Sequence, residues 1–387
     1  MKSNLYFLVL LLAVLSSCKK DDGDNNNINN NPDSLTGLWY KLPGLESPDY
    51  ATSAGPLVWL NNKCHSLVFN KFFRMKYLEV NEDKTTTLIS TPFENEQNIN
   101  FPCMATDGND VFVAYGLFLG DLKVYSFLRS GNTWNTLPEI IWPNYSYNNK
   151  VMTAAMLNGK PYLLAQSLDS TYIFTYENNT WTALGGKAIG PTFYYVDLKA
   201  NGGRLLALGY NPPSGNNAGL VIKEWNSSQW LNAGFVLNNP ADEIIYPNMD
   251  INSSGAVLLN YLSYNGSFIY KQENTGASWQ KVFERDAGSD FAFKARFDKQ
   301  NPDVFYAVRV SHPVQITHAI WGLIKFSGSE TQELSINPDT DVPNYDVIFD
   351  PTVYSTMELV PHNKKIHFSY TEDRNPFIGH LVLFEGN

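Results

Sequence analysis

An all-β fold built from about seven similar four-stranded units follows from three features of the sequence. Short apolar or alternating runs, split by Asn, Gly, Asp and Ser, fill the chain from residue 35 onward, and no long stretch keeps the 3.6-residue period of a helix. Trp134, Trp181, Trp230 and Trp279 recur at spacings of 47, 49 and 49 residues. A turn of the Asn-Gly or Asp-Gly kind lies about 23 to 29 residues before each Trp: Asp107-Gly108, Asn158-Gly159, Asn201-Gly202, and Asn252 to Gly255. Both residues of such a turn tolerate positive φ, which a tight hairpin needs. Four antiparallel strands in about 50 residues make one blade of a β-propeller.

Taken in order, the units support this reading with differing clarity. The first begins at Asn61-Asn62-Lys63 and Ser66 to Phe69, and carries Thr85-Thr86-Thr87 where the later units carry Trp. The second to fifth hold the four Trp turns, each placed after a strand-like run such as Tyr172-Ile173-Phe174-Thr175-Tyr176. Val304-Phe305-Tyr306-Ala307-Val308 belongs to a sixth unit, and Ile366-His367-Phe368 to a seventh. The seventh stops after Leu381-Val382-Leu383-Phe384, a third strand, so its fourth must come from elsewhere. Leu38-Trp39-Tyr40-Lys41-Leu42-Pro43 matches Thr133-Trp134-Asn135-Thr136-Leu137-Pro138, so the N-terminal strand is expected to complete the last blade. Such closure hides sheet edges that would otherwise template aggregation. Residues 35–387 then give seven blades of about 50 residues, although long insertions in the last two units leave room for six or eight.

The Trp turns resemble the Asp-box of sialidase-type propellers and, more loosely, kelch-like repeats; Asn274-Thr275-Gly276-Ala277-Ser278-Trp279 is the nearest copy, with Asn where Asp is usual. The resemblance implies a structural turn on the blade periphery and carries no activity, while each Trp itself reads as a core residue packing between neighbouring blades.

The beginning of the chain has a different grammar. Lys2 precedes an unbroken apolar run over residues 5–15, too short for a membrane span of about 20 residues but suited to a secretory signal. The run ends in Leu15-Ser16-Ser17-Cys18, which resembles the lipobox of bacterial outer-membrane lipoproteins. That resemblance implies a signal peptide over residues 1–17, lipidation of Cys18, and a membrane anchor of several acyl chains. Residues 18–34 read as a tether, Asn-rich after Lys19-Lys20-Asp21-Asp22. A Lys followed by paired acids looks like the surface-export signal of some Gram-negative lipoproteins, so the expected location is the outer membrane, facing outward. Cys64 and Cys103 remain, either as a disulfide or as buried thiols.

Composition bounds the function. Hydrophobic residues make up 43%, aromatics 14% and charged residues only 17%, which excludes general disorder and provides for a large core. A net charge of -10 argues against a nucleic-acid partner, since phosphate binding needs clustered Lys and Arg. In a propeller the crossovers between blades share one face with the loops between second and third strands, at the mouth of the channel. Here the crossovers are aromatic and polar, with Trp142, Tyr145, Tyr194, Tyr195, Tyr246 and Tyr354 as candidate ligand contacts. Aromatic faces beside hydrogen-bonding groups suit sugar rings. Aligning the innermost strands on their hairpins adds Asp197, Asp250, Glu358 and Arg296 as candidates lining the channel. Paired carboxylates could serve acid–base chemistry, or equally line a wet channel or bind a cation.

Other chemistries lack their residues. Sialidase chemistry needs an arginine cluster, and the chain has seven scattered Arg. His312 and His318 share a loop at poor metal spacing, and Asp339, Asp341 and Asp346 follow no EF-type pattern. There is no Gly-rich phosphate loop or nucleophile elbow. The expectation is a surface lipoprotein without cofactor, metal or catalytic residues, binding a glycan or protein through its loop face. A polysaccharide hydrolase or lyase using the channel carboxylates is the alternative, and a structural subunit of a surface complex is a third reading.

Overall fold

A computed structural model describes residues 37–42, 53–69, 74–117, 123–140, 150–166, 170–186, 188–191, 196–211, 219–235, 244–263, 265–286, 290–311, 320–335, 358–372 and 378–386. It is a seven-bladed β-propeller whose seven sheets are each built from consecutive antiparallel strands, except the last. The inner strands of the blades, in order, are Ser53–Leu60, Ile99–Thr106, Lys150–Leu157, Val196–Asn201, Ile244–Ile251, Asp290–Phe297 and Glu358–His362. Each touches the next, and the seventh touches the first, so they form a closed ring.

The N-terminal strand behaves as its sequence match predicts. Gly37–Lys41 pairs antiparallel with Ile378–Gly386, from Gly37 opposite Gly386 to Lys41 opposite Val382, and supplies the fourth strand of blade seven. Leu42 continues the contact, donating its N–H to the Leu381 carbonyl at 3.0 Å, and is fully buried.

A blade is buried on both faces, which explains why its second strand is an unbroken apolar run instead of an alternating one. In blade three, Ala154, Met156, Leu163, Ala165 and Phe174 pack toward blade two, while their alternating neighbours Ala155, Leu164 and Ile173 pack toward blade four. The same sharing joins blade one to two, four to five, five to six, and seven to one. The recurrent Trp residues sit in these seams. Trp134 packs edge-on against Tyr77 of blade one, and Trp181 lies against Phe112 of blade two. Trp279 packs edge-on against Phe235 and donates its indole N–H to the Ala233 carbonyl. It differs from the expected pattern in one respect: it stands just before the outer strand Gln280–Asp286 and not within it.

Polar side chains at the inner hairpins fasten blade two to three, four to five, five to six and six to seven. Asp107 accepts the Gly159 N–H at 2.7 Å, and Asp298 accepts the Asn363 N–H at 3.2 Å. Asn201 donates to the Ile251 carbonyl at 3.1 Å, and Asn252 to the Pro302 carbonyl at 2.8 Å. The turns legible in the sequence are therefore clasps as well as hairpins. Arg204 adds a buried one, reaching Glu224 on its own blade and both the Gly255 carbonyl and Gln272 on blade five.

Cys64 and Cys103 are both free and buried, in the seven–one and two–three seams respectively, which decides between the two alternatives for them. Burial pushes both thiols up, Cys103 to about 12.

Gly202 shows how tightly a clasp is fitted. Its φ of 55° is left-handed, and a Cβ there would lie 2.4 Å from the Gly255 nitrogen. Gly159 has a φ of 74° but open space around it. Gly159→Ala is expected to cost about 1 kcal/mol and Gly202→Ala about 2–4 kcal/mol. Urea unfolding of the two variants checks this ranking.

Candidate functional site

Four of the residues expected to line the channel do converge, on the inner strands of blades four to seven. The focus is Arg296. Its Nε and Nη2 lie 2.9 and 2.8 Å from Glu358 Oε1, and its Nη1 donates to Asn248 Oδ1 at 2.9 Å and to the Ala295 carbonyl at 3.0 Å. Lys294 Nζ stands 3.7 Å from the other Glu358 oxygen. Glu358 also accepts the Leu359 N–H at 3.2 Å. The two aspartates are committed to neighbouring blades. Asp197 accepts the Met249 N–H at 3.1 Å and pairs with Lys199 at 3.3 Å. Asp250, itself 5% exposed, accepts the Phe297 N–H at 2.9 Å and has Lys299 at 3.5 Å.

Local backbone irregularity puts these groups in place. The inner strands of blades one, two, three, five and six each break register against their second strand. In three of them a side-chain-bearing residue takes positive φ at the break: Phe101 at 48°, Tyr246 at 50° and Lys294 at 51°. A bulge of this kind inserts one residue and re-aims those that follow. It turns Asn248 and Arg296 toward each other across the blade five–six boundary. Tyr246, one of the crossover candidates, is half-buried at its bulge. Trp142, Tyr145, Tyr194, Tyr195 and Tyr354 lie outside the described residues, as do Cys18, His312, His318 and the 339–346 acidic loop. Among the described residues no group of three or more His, Cys, Asp and Glu is arranged to hold a metal ion.

Sequence reasoning missed Asn248, Lys294 and Lys199. Lys199 was within reach, being two residues from Asp197 on one face of an unbroken strand. Asn248 and Lys294 also stand two residues from Asp250 and Arg296, but the bulges beside them disturb the parity on which that argument depends.

The electrostatics follow from burial and pairing. Burial alone would raise the Glu358 carboxyl, but Arg296, then Lys294 and Lys199, outweigh it and hold it down to about 2. Burial lowers Lys294 against the opposing pull of Glu358. Each carboxylate thus has a cation beside it and a backbone N–H bound to it. The arrangement is a fastened charge network.

Solved structures with the same architecture are diverse. A puromycin hydrolase is 9% identical with a TM-score of 0.54, the match covering 84% of this chain and 50% of that one. The β-propeller domain of the Trilobed protease from Pyrococcus furiosus is 11% identical with a TM-score of 0.51, over 74% of this chain and 85% of that one. SapL1 lectin in complex with alpha methyl fucoside is 12% identical with a TM-score of 0.48, over 76% and 99%. At these identities the likeness to the hydrolase and the protease domain shows the fold alone. No family model matches the chain, nor does any curated protein sequence.

Removing one partner of a buried ion pair strands the other, at a cost of about 3–5 kcal/mol. Glu358→Gln, which leaves Arg296 without its anion, is expected to destabilise by about 3 kcal/mol in urea unfolding. Arg296→Met combined with Glu358→Leu is expected to cost less than the sum of the single changes.

Acid acts on the same network and on buried imidazoles. Burial lowers His65 to about 4 and His367 to about 3. The unfolded chain takes up these protons near pH 6.5 and the folded chain does not, so stability falls as pH drops below 6.5 toward those values. Glu358 adds stability that is complete above pH 4.5 and is lost as pH falls toward about 2. The unfolding free energy from urea titration should therefore decline steadily from pH 7 to pH 4, by several kcal/mol in all.

Proposed function

We propose that the chain is a bacterial outer-membrane lipoprotein that binds a glycan without transforming it, through the propeller face formed by the crossovers. The observation that carries the non-catalytic part is the commitment of Asp197, Asp250 and Glu358. Every one of these carboxylates accepts a backbone N–H and pairs with a cation. A hydrolase of the two-carboxylate kind needs one acid kept protonated and one carboxylate kept free to attack or to activate water. Glu358, held down to about 2, is a poor proton donor at neutral pH.

The glycan part is supported by the aromatic residues that the sequence puts in the crossovers, Trp142, Tyr145, Tyr194, Tyr195 and Tyr354, whose flat faces match the C–H faces of sugars; Tyr246 stands instead in the inner strand Ile244–Ile251. The anchor is supported by the apolar run ending at Leu15-Ser16-Ser17-Cys18. A lipid-held propeller on the outer face would concentrate its ligand at the cell surface.

Glycan-array capture and polysaccharide pull-down test this reading, together with reducing-end assays on whatever is captured. The expected result is saturable capture with the polysaccharide recovered intact. Cleavage that disappears in Asp197→Asn or Asp250→Asn overturns it, and so does a protein found by crosslinking as the sole ligand. Cys18→Ser is expected to move the chain from the detergent phase to the aqueous phase of a Triton X-114 partition.

A further inference from the structure

A second feature stands apart from the crossover face. Between blades seven and one, at the end of the ring where the inner hairpins lie, is a cleft of about 300 Å³. Trp59, Lys63, Gln300, His362, Lys365 and His367 are the lining residues that matter to its chemistry. Trp59 comes from the inner strand of blade one, and His362 ends the inner strand of blade seven; their rings stack at 4.1 Å and 20°. His367 leans on the same indole at 5.5 Å.

These three rings hold a shared anomaly. Trp59 Nε1, His362 Nδ1 and His367 Nδ1 are all buried, and none has a hydrogen-bond partner. Buried polar atoms in folded proteins are overwhelmingly paired, so three orphans on rings that meet at one indole beside one cleft call for an explanation. His367 is 3% exposed, shut from bulk water while His362 covers the indole.

We propose that this cleft binds one neutral sugar ring, or a polyol of that size. Hydroxyl groups both donate and accept. The indole N–H can only donate, whereas each neutral imidazole offers one donor and one acceptor. Burial keeps both histidines below their ordinary range and hence neutral at pH 7. An anion could serve the donors and not the acceptors. The two lysines do not tip the balance toward an anion, because each is already answered from behind: Lys63 by Glu79 at 2.5 Å and Lys365 by Glu385 at 3.3 Å. The exposed amide of Gln300 and the carboxylate of Glu82 complete a wall suited to hydroxyls. The volume sits at the lower end of small-molecule sites and matches one ring. His362, the half-buried member of the stack, covers the indole, and binding requires it to turn outward so that both nitrogens reach the ligand.

Calorimetric titration and saturation-transfer NMR of the full mature chain at pH 7 test the assignment. The probes are a panel of neutral monosaccharides and their methyl glycosides, with glucuronate and sulfate as the anionic arm. At least one neutral sugar is expected to saturate a single site. Trp59→Phe, which keeps a ring and removes the donor, is expected to weaken it at least tenfold. Gln300→Ala, an exposed position, is expected to weaken it at least threefold with an unchanged unfolding midpoint. Glycan-array capture that survives Trp59→Phe while the monosaccharide signal is lost supports two separate sites. The proposal is overturned if no neutral sugar saturates, if both substitutions leave the affinity unchanged, or if glucuronate or sulfate is the ligand instead.

Discussion

The structure depends on one constraint: a blade that is apolar on both faces cannot stand without a neighbour on each side. Leu163 and Leu164, adjacent in sequence, pack into different seams and are both fully buried. An open row of such blades would expose an apolar face at each end, so the row must close. Gly37–Lys41 closes it by joining the last blade from the opposite end of the chain. The unbroken apolar runs, the Trp residues in the seams and the paired strand Ile378–Gly386 all follow from that requirement.

Closure also decides what the polar residues do. Strand ends and hairpins lie side by side at the inner hairpin end of the ring, where backbone groups need partners. Asp107, Asn201, Asn252 and Asp298 meet that need at the hairpins. Asp197 and Asp250 meet it further along the inner strands, with Arg296 and Glu358 bridging blades six and seven. Because these side chains hold blades together, the recognition proposed above is placed on the crossovers and in the cleft where blade seven meets blade one. That seam joins the two ends of the chain.

Much of this was legible in the sequence, for physical reasons. Large flat side chains fill several seams at the same place in the unit, so Trp134, Trp181 and Trp230 announced the period. A tight hairpin needs residues that tolerate positive φ, so Asn158-Gly159 and Asn201-Gly202 announced the turns. The missing strand of blade seven was found because Trp39 to Pro43 repeats the pattern of Trp134 to Pro138. The bulges were not legible. One inserted residue reverses which side chains face inward, and nothing in Tyr246 or Lys294 marks the left-handed backbone they adopt. The cleft was not legible either, because Trp59 and His362 meet only after the ring has closed across some 300 residues of chain.

A crystal structure of the chain soaked in neutral glycans tests most directly the claim that the inner carboxylates fasten blades while sugars bind elsewhere. The account predicts ordered sugar on the crossover face or against Trp59, with Asp197 still bound to Met249, Asp250 to Phe297 and Glu358 to Arg296. A sugar seated between Asp197, Asp250 and Glu358, with the Arg296 bridge broken to admit it, would contradict it.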